Sequence, residues 1–267
     1  MPSLTVTLIQ TNLHWENKKA NLEMLQRKIE SIKEKTEVVI LPEMFTTGFS
    51  MKPGIFAEKM DGQTVQWMKK IATEKKIILT GSMMIEEGGK YFNRLIWMLP
   101  TGEYGVYDKR HLFAFADENS HYTAGNKKLI ASVKGWKINL QICYDLRFPV
   151  WTRQSPPLRE TGKEPEYDLL INVANWPDKR SVAWKTLLRA RAIENQCFVV
   201  GVNRVGEDGE KVFYNGDSSI IDPLGEMIYQ KSKDEDIFTY TLQKEKISEV
   251  RNQFPFWRDA DSFLINE

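Results

Sequence analysis

Lys137-Ile138-Asn139-Leu140-Gln141-Ile142-Cys143-Tyr144-Asp145-Leu146-Arg147-Phe148-Pro149 begins as a strand and ends as a turn. Ile138, Leu140 and Ile142 alternate with Asn139 and Gln141, the period-two pattern of a β-strand. At Cys143 the alternation stops and a polar segment follows. A thiol at the carboxyl end of a strand sits where α/β sheets gather their reactive groups. A free cysteine is also commonly a small buried hydrophobe, and the rest of the chain must decide between the two.

Upstream, Leu4–Gln10 alternates branched and polar residues and reads as a first strand. Between Glu16 and Lys35, Leu22, Leu25, Ile29 and Ile32 recur at spacings of three and four, an amphipathic helix. Val38–Leu41 is wholly apolar, as a strand buried on both faces would be. Together these make a βαβ unit. A helix over Val65–Lys75 and a strand over Ile77–Ser82 repeat the pattern. Tyr91–Leu99 and Glu103–Asp108 flank Pro100-Thr101-Gly102 as a hairpin. Lys109–Asn126 is polar, rich in aromatics and weakly periodic, a functional loop.

Downstream, Ser155–Glu166 carries prolines and charges and is expected to be an exposed excursion. Tyr167–Val173 and Cys197–Asn203 read as buried strands around a helix over Arg180–Asn195. A strand pair lies within Phe213–Tyr229, and Ile237–Leu242 closes a sheet. From about residue 244 a charged extension ends in Phe254, Phe256, Trp257 and Phe263. No linker cuts the chain, so residues 1–267 are expected to form a single domain of α/β layers.

With 37 Lys and Arg against 36 Asp and Glu, the chain has no charge excess to draw it to nucleic acid or an anionic membrane. Two cysteines make neither a disulfide framework nor a CxxC site. The first residues lack a signal-peptide pattern, and no apolar run reaches the ~20 residues that span a bilayer. A cytoplasmic protein is expected. Phosphate-loop and dinucleotide glycine motifs are absent.

Glu43, Lys109 and Cys143 each follow a strand-like run. Individually they read as a solvated turn acid, a surface lysine and a core thiol. Together they suffice for acyl transfer. A mostly protonated thiol needs a base or a positive charge beside it. A carboxylate near lysine can pass protons both ways, and an ammonium or the Tyr144 amide can hold an oxyanion. His14, His111 and His121 leave a cysteine–histidine hydrolase open; three scattered histidines make no metal site. Cys197, within an apolar run, reads as structural.

These residues resemble the nitrilase superfamily of carbon–nitrogen hydrolases. The resemblance lies in Leu41-Pro42-Glu43-Met44-Phe45 with Thr47-Gly48-Phe49, in Tyr107-Asp108-Lys109-Arg110-His111-Leu112-Phe113, and in Ile142-Cys143 through Pro149. It implies a four-layer α-β-β-α sandwich, a homodimer, and a catalytic set of Glu43 as base, Lys109 as oxyanion stabiliser and Cys143 as nucleophile. It implies no cofactor and no metal. Glu118 matches a second glutamate found in the loop after the lysine. Asn172–Pro177, Arg189–Gln196 and Gly201–Gly206 look most like the bacterial omega-amidases, which release ammonia from 2-oxoglutaramate or 2-oxosuccinamate. A small anionic amide is then the expected substrate. Arg147 would bind its carboxylate or hold the cysteine turn by pairing with Asp145 or Glu194. Phe45, Tyr144 and Trp176 would wall the pocket. The same site would serve an N-carbamoyl amine amidohydrolase or a nitrilase, and a non-catalytic interaction protein is the alternative of another class.

Overall fold

The computed structural model describes residues 2–154, 165–261 and 263–265. In chain order the first half supplies β1 (Ser3–Gln10), β2 (Val38–Ile40), β3 (Ile78–Glu87), β4 (Lys90–Met98) and β5 (Tyr104–Asp108). The second supplies β6 (Ile130–Val133), β7 (Trp136–Ile142), β8 (Leu169–Ala174), β9 (Phe198–Asn203), β10 (Val205–Glu207), β11 (Phe213–Ile221), β12 (Met227–Ser232) and β13 (Asp236–Gln243). β1, β2 and β3 run parallel at the centre of one sheet, with β4, β5 and the returning β13 antiparallel around them. In the other sheet β7, β8 and β9 are the parallel centre, flanked by β6 and by β11.

Period-two patterning sorts side chains into layers. Leu4, Val6 and Leu8 of β1 and Val38 and Ile40 of β2 meet Ile138, Leu140 and Ile142 of β7 in the core between the sheets. Ile9, Val39 and Leu79 face the other way, onto Leu22, Leu25 and Ile29 of α1 (Lys18–Glu30) and Met68 and Ile71 of α2 (Gln63–Lys75). Trp184, Leu188 and Ala192 of α3 (Ser181–Asn195) cover the far side of the second sheet. The result is the α-β-β-α sandwich expected from the sequence.

Several boundaries differ from the sequence reading. The first helix starts at Lys18, because the Asn17 side chain caps the Ala20 amide, and it ends at Glu30, leaving Ile32 outside. β3 continues to Glu87 and turns into β4 through Gly88-Gly89, both at positive φ as a tight hairpin requires. The extension from residue 244 starts as a helix, α4 (Lys244–Gln253). It buries Ile247 and Val250, and Arg251 pairs with Asp168 at the amino end of β8. Of the expected excursion over Ser155–Glu166, residues 155–164 lie outside the described residues.

Candidate active site

The residues after β2, β5, β7 and β8 converge at one end of the sandwich. After β2 the chain passes Leu41 and Pro42 to Glu43 and reverses at Met44 (φ +43°). After β7 it enters a short 3₁₀ helix, Cys143–Arg147, with Cys143 itself at φ +45°. A left-handed backbone on a non-glycine residue is strained and persists only where neighbours enforce it. Asp145 supplies that enforcement. Its Oδ2 accepts from the Ile142 amide (3.1 Å) and the Tyr107 hydroxyl (2.7 Å), and its Oδ1 accepts from the His111 amide (2.9 Å). The His111 ring nitrogen Nδ1 lies 2.8 Å from Oδ1 and is therefore the protonated one. The lysine segment and the cysteine turn are thus tied to one carboxylate.

Glu43, Lys109 and Glu118 form a fully buried ionic cluster. Lys109 Nζ lies 2.9 Å from Glu43 Oε1 and 3.0 and 2.9 Å from the two oxygens of Glu118. Asn93, in β4, donates Nδ2 to both glutamates, at 2.8 and 3.2 Å. The Phe113 amide donates to Glu118 Oε2 (2.6 Å), and the Asn175 amide donates to Glu43 Oε2 (2.7 Å). An ionised carboxylate offers about four lone-pair positions. Glu118 has all of its own occupied by N–H donors, whereas Glu43 Oε2 accepts from the Asn175 amide and keeps one free. The Cys143 thiol lies 4.0 Å from the Asn175 carbonyl.

The electrostatics follow from burial and from these neighbours. Burial disfavours the charged lysine, but Glu118 and Glu43 outweigh it and hold Lys109 well above an ordinary lysine pKa. Burial and the Glu43 charge push the Cys143 thiol well up, against the pull of Lys109. The resting Cys143 side chain is therefore a thiol, and attack through its sulfur would require a base to take the proton. Glu118 is raised by burial and by Glu43, with Lys109 opposing.

Cys143, Lys109 and Asn175 line a cavity of about 840 Å³. Tyr144, Arg147 and Trp176 line it, and the Arg147 guanidinium lies 4.9 Å from the centre of the Trp176 ring. Arg147 does not hold the turn by an ion pair: Asp145 is engaged as above, and Glu194 pairs with Arg191 at 2.9 Å. Phe45 is a correction. The reversal at Met44 carries its ring away from the cavity into the core beneath α2, against Trp67, and Phe49 takes the place at the wall. No histidine is among the residues that line the cavity. Among the described residues no group of three or more His, Cys, Asp or Glu could hold a metal ion, and no helix is long and apolar enough to cross a membrane.

Sequence reasoning gave no role to Asn93 or Asn175. The signal for Asn93 is a lone amide inside Tyr91–Met98, where a buried strand position demands a hydrogen-bonding partner. Asn175 falls at the carboxyl end of β8, beside Trp176 in a stretch singled out only as a motif.

Comparison with known proteins agrees with this geometry. The family model described as carbon-nitrogen hydrolase matches residues 5–252. The chain is 42% identical to omega-amidase YafV of Escherichia coli strain K12, over 99% of this chain and 100% of the relative. It is 32% identical to 2-oxoglutaramate amidase of Bacillus subtilis strain 168, over 96% of each. The crystal structure of XC1258 from Xanthomonas campestris, a CN-hydrolase superfamily protein with an arsenic adduct in its active site, superposes with a TM-score of 0.96 at 43% identity, covering all of both chains. The chain belongs to the carbon-nitrogen hydrolase family.

Proposed function

We propose that this chain is an omega-amidase, hydrolysing the terminal amide of small 2-oxo acids such as 2-oxoglutaramate and 2-oxosuccinamate to a 2-oxo dicarboxylate and ammonia. One observation carries the chemistry. Cys143 and Lys109 line the same cavity, and Glu43, held between Lys109 and Asn175, acts on the thiol as a neighbouring group that raises its pKa. The substrate class rests on similarity to the omega-amidase and the 2-oxoglutaramate amidase over nearly the whole chain.

In this reading Cys143 Sγ attacks the amide carbon while its proton passes to Glu43 Oε2. Lys109 meets Glu118 through both carboxylate oxygens, a contact that one shared N–H can serve, so a donor remains for the tetrahedral oxyanion. The Tyr144 amide lies in the first turn of the 3₁₀ helix, where N–H groups lack intrahelical acceptors, and supplies a second. Glu43 returns its proton to the departing nitrogen as the C–N bond breaks, which leaves a thioester and free ammonia. It then takes a proton from water as the water attacks the thioester, and reprotonates Cys143 when the C–S bond breaks. Glu118, with no free lone pair, keeps Lys109 charged and aimed. Asn175 Oδ1, buried without a partner among the described residues, is an acceptor for the amide N–H of the substrate. Arg147 binds the substrate carboxylate, with Tyr144 and Trp176 as walls.

The same reading has residues 1–267 acting as one catalytic unit in the cytoplasm, paired as a homodimer. The outer face of α3 supports the pairing, since it leaves Val182 76% and Ile193 51% exposed. Light scattering of the purified protein tests the dimer.

Ammonia release from 2-oxoglutaramate, 2-oxosuccinamate, an N-carbamoyl amine and an aliphatic nitrile tests the function. Preferred turnover of the oxo-amides, lost in Cys143→Ala, is expected. Turnover of only another substrate would keep the site and overturn the specificity. Turnover of none would favour a non-catalytic role.

A further inference from the structure

Two guanidinium groups face the cavity without a carboxylate to neutralise them. Arg147 lies over Trp176, and Arg180 lies over Phe113 at 5.0 Å from the ring. Neither forms an ion pair among the described residues. The two are mechanically linked, because Trp176 Nε1 donates to the Arg180 carbonyl (2.8 Å) and Phe113 packs edge-on against Tyr144 beside the nucleophile. A ring stacked on a guanidinium engages its face and leaves the N–H edge free for a planar acceptor.

Four acids line the cavity with these cations, Glu16, Asp178, Asp208 and Glu210. Two of them are already committed. Glu16, on the cavity wall, accepts from Ser50 (2.6 Å) and Lys52 (3.0 Å). Asp208 accepts from the Tyr214 hydroxyl (2.7 Å) and from the amides of Glu210 and Val212. Asp178 and Glu210 form no ion pair with either guanidinium among the described residues, so positive charge held on aromatic faces in this half-enclosed cavity is only partly compensated until an anion enters.

We infer that Arg180 is a specificity-determining residue, forming with Arg147 a two-sided collar that demands a carboxylate on the non-reacting end of the substrate. This deepens the omega-amidase reading and rests on it for the identity of the amide. The collar discriminates against neutral amides of the same length, because these leave both guanidinium edges unpaired. A charge-assisted hydrogen bond to one guanidinium supports about tenfold to a hundredfold of that preference.

The test is the ratio of kcat/KM for 2-oxoglutaramate to kcat/KM for pentanamide, in wild type, Arg180→Gln and Arg180→Lys. The ratio should fall at least tenfold in Arg180→Gln, mainly through KM for the charged substrate, and recover in part in Arg180→Lys. A merely structural role would lower both substrates alike, and that result would overturn the inference. A second readout needs no turnover. Alkylation of Cys143 by bromopyruvate, which carries a carboxylate, is compared with alkylation by neutral bromoacetone, each normalised to its rate with free glutathione. Wild type should favour bromopyruvate, and Arg180→Gln should lose that preference. If no amide is hydrolysed but the preference appears and vanishes with Arg180, the collar stands and the omega-amidase reading fails. If oxo-amides are hydrolysed while Arg180→Gln keeps the wild-type preference, the collar is wrong and the function stands.

Discussion

Asn175 and Glu43 are joined twice: the Asn175 amide donates to Glu43 Oε2 and its Nδ2 donates to the Glu43 carbonyl, both at 2.7 Å. Glu43 leaves one sheet and Asn175 leaves the other, so the pair stitches the two halves of the sandwich together at the proposed base. Asn175→Ala removes only the side-chain half of this bridge and leaves a buried carbonyl without its donor. A loss of about 1–3 kcal/mol in stability is expected, with a kcat drop of about tenfold as Glu43 loosens. Urea unfolding and steady-state kinetics measure the two, and wild-type values in both would contradict the bridge.

Glu118 should act through Lys109. Its charge helps hold the ammonium pKa up, so Glu118→Gln should lower that pKa and move the alkaline limb of the kcat–pH profile to lower pH. The new amide also sets an NH₂ among N–H donors that all require an acceptor. A kcat loss of about 10²–10³ is expected, the size of removing one oxyanion donor. An alkaline limb that stays put or moves upward would show that Glu118 does not tune the lysine.

The Glu43 charge is one of the groups that raise the Cys143 thiol. Removing that charge in Glu43→Gln should let the thiol ionise at lower pH while hydrolysis stalls for want of a base. Titration of the thiolate ultraviolet absorbance, with Cys143→Ala as blank, reads this directly. Ionisation at the same or higher pH would mean that Glu43 does not face the thiol as an anion.

The strained turn at Cys143 depends on Asp145, and Asp145 depends partly on Tyr107, whose hydroxyl also accepts from Trp151 Nε1 at 3.0 Å. Tyr107→Phe leaves one acceptor and one donor unpaired in the core. We expect a loss of about 1–3 kcal/mol together with slower alkylation of Cys143. Loss of stability with an unchanged alkylation rate would separate the network from the geometry of the nucleophile.

Much of this site is legible in the chain because Glu43, Lys109 and Cys143 follow their strands directly, and strand ends are readable from hydrophobic patterning. Glu118 was reached only by resemblance, since loop spacing alone cannot show that its side chain turns inward to Lys109. Phe45 was misread because the reversal at Met44 rests on a backbone conformation that the residue type does not announce. Asn93 is hidden in mid-strand, where its meaning depends on which face looks toward the cluster. Arg180 opens the helix expected over Arg180–Asn195, and helical patterning does not show that the fold lays its guanidinium over Phe113. β6 escaped notice because its four residues form a strand only by pairing with β7 across the Lys134-Gly135 turn.

The central claim is that Cys143 carries the acyl group. Rapid acid quench of wild-type protein during turnover of 2-oxoglutaramate, followed by peptide mass spectrometry, tests it most directly. The account predicts a transient adduct on the Cys143 peptide equal to the substrate mass less ammonia, with Cys197 unmodified. Sustained hydrolysis by a purified Cys143→Ala protein, with no adduct on the wild-type peptide, would contradict it.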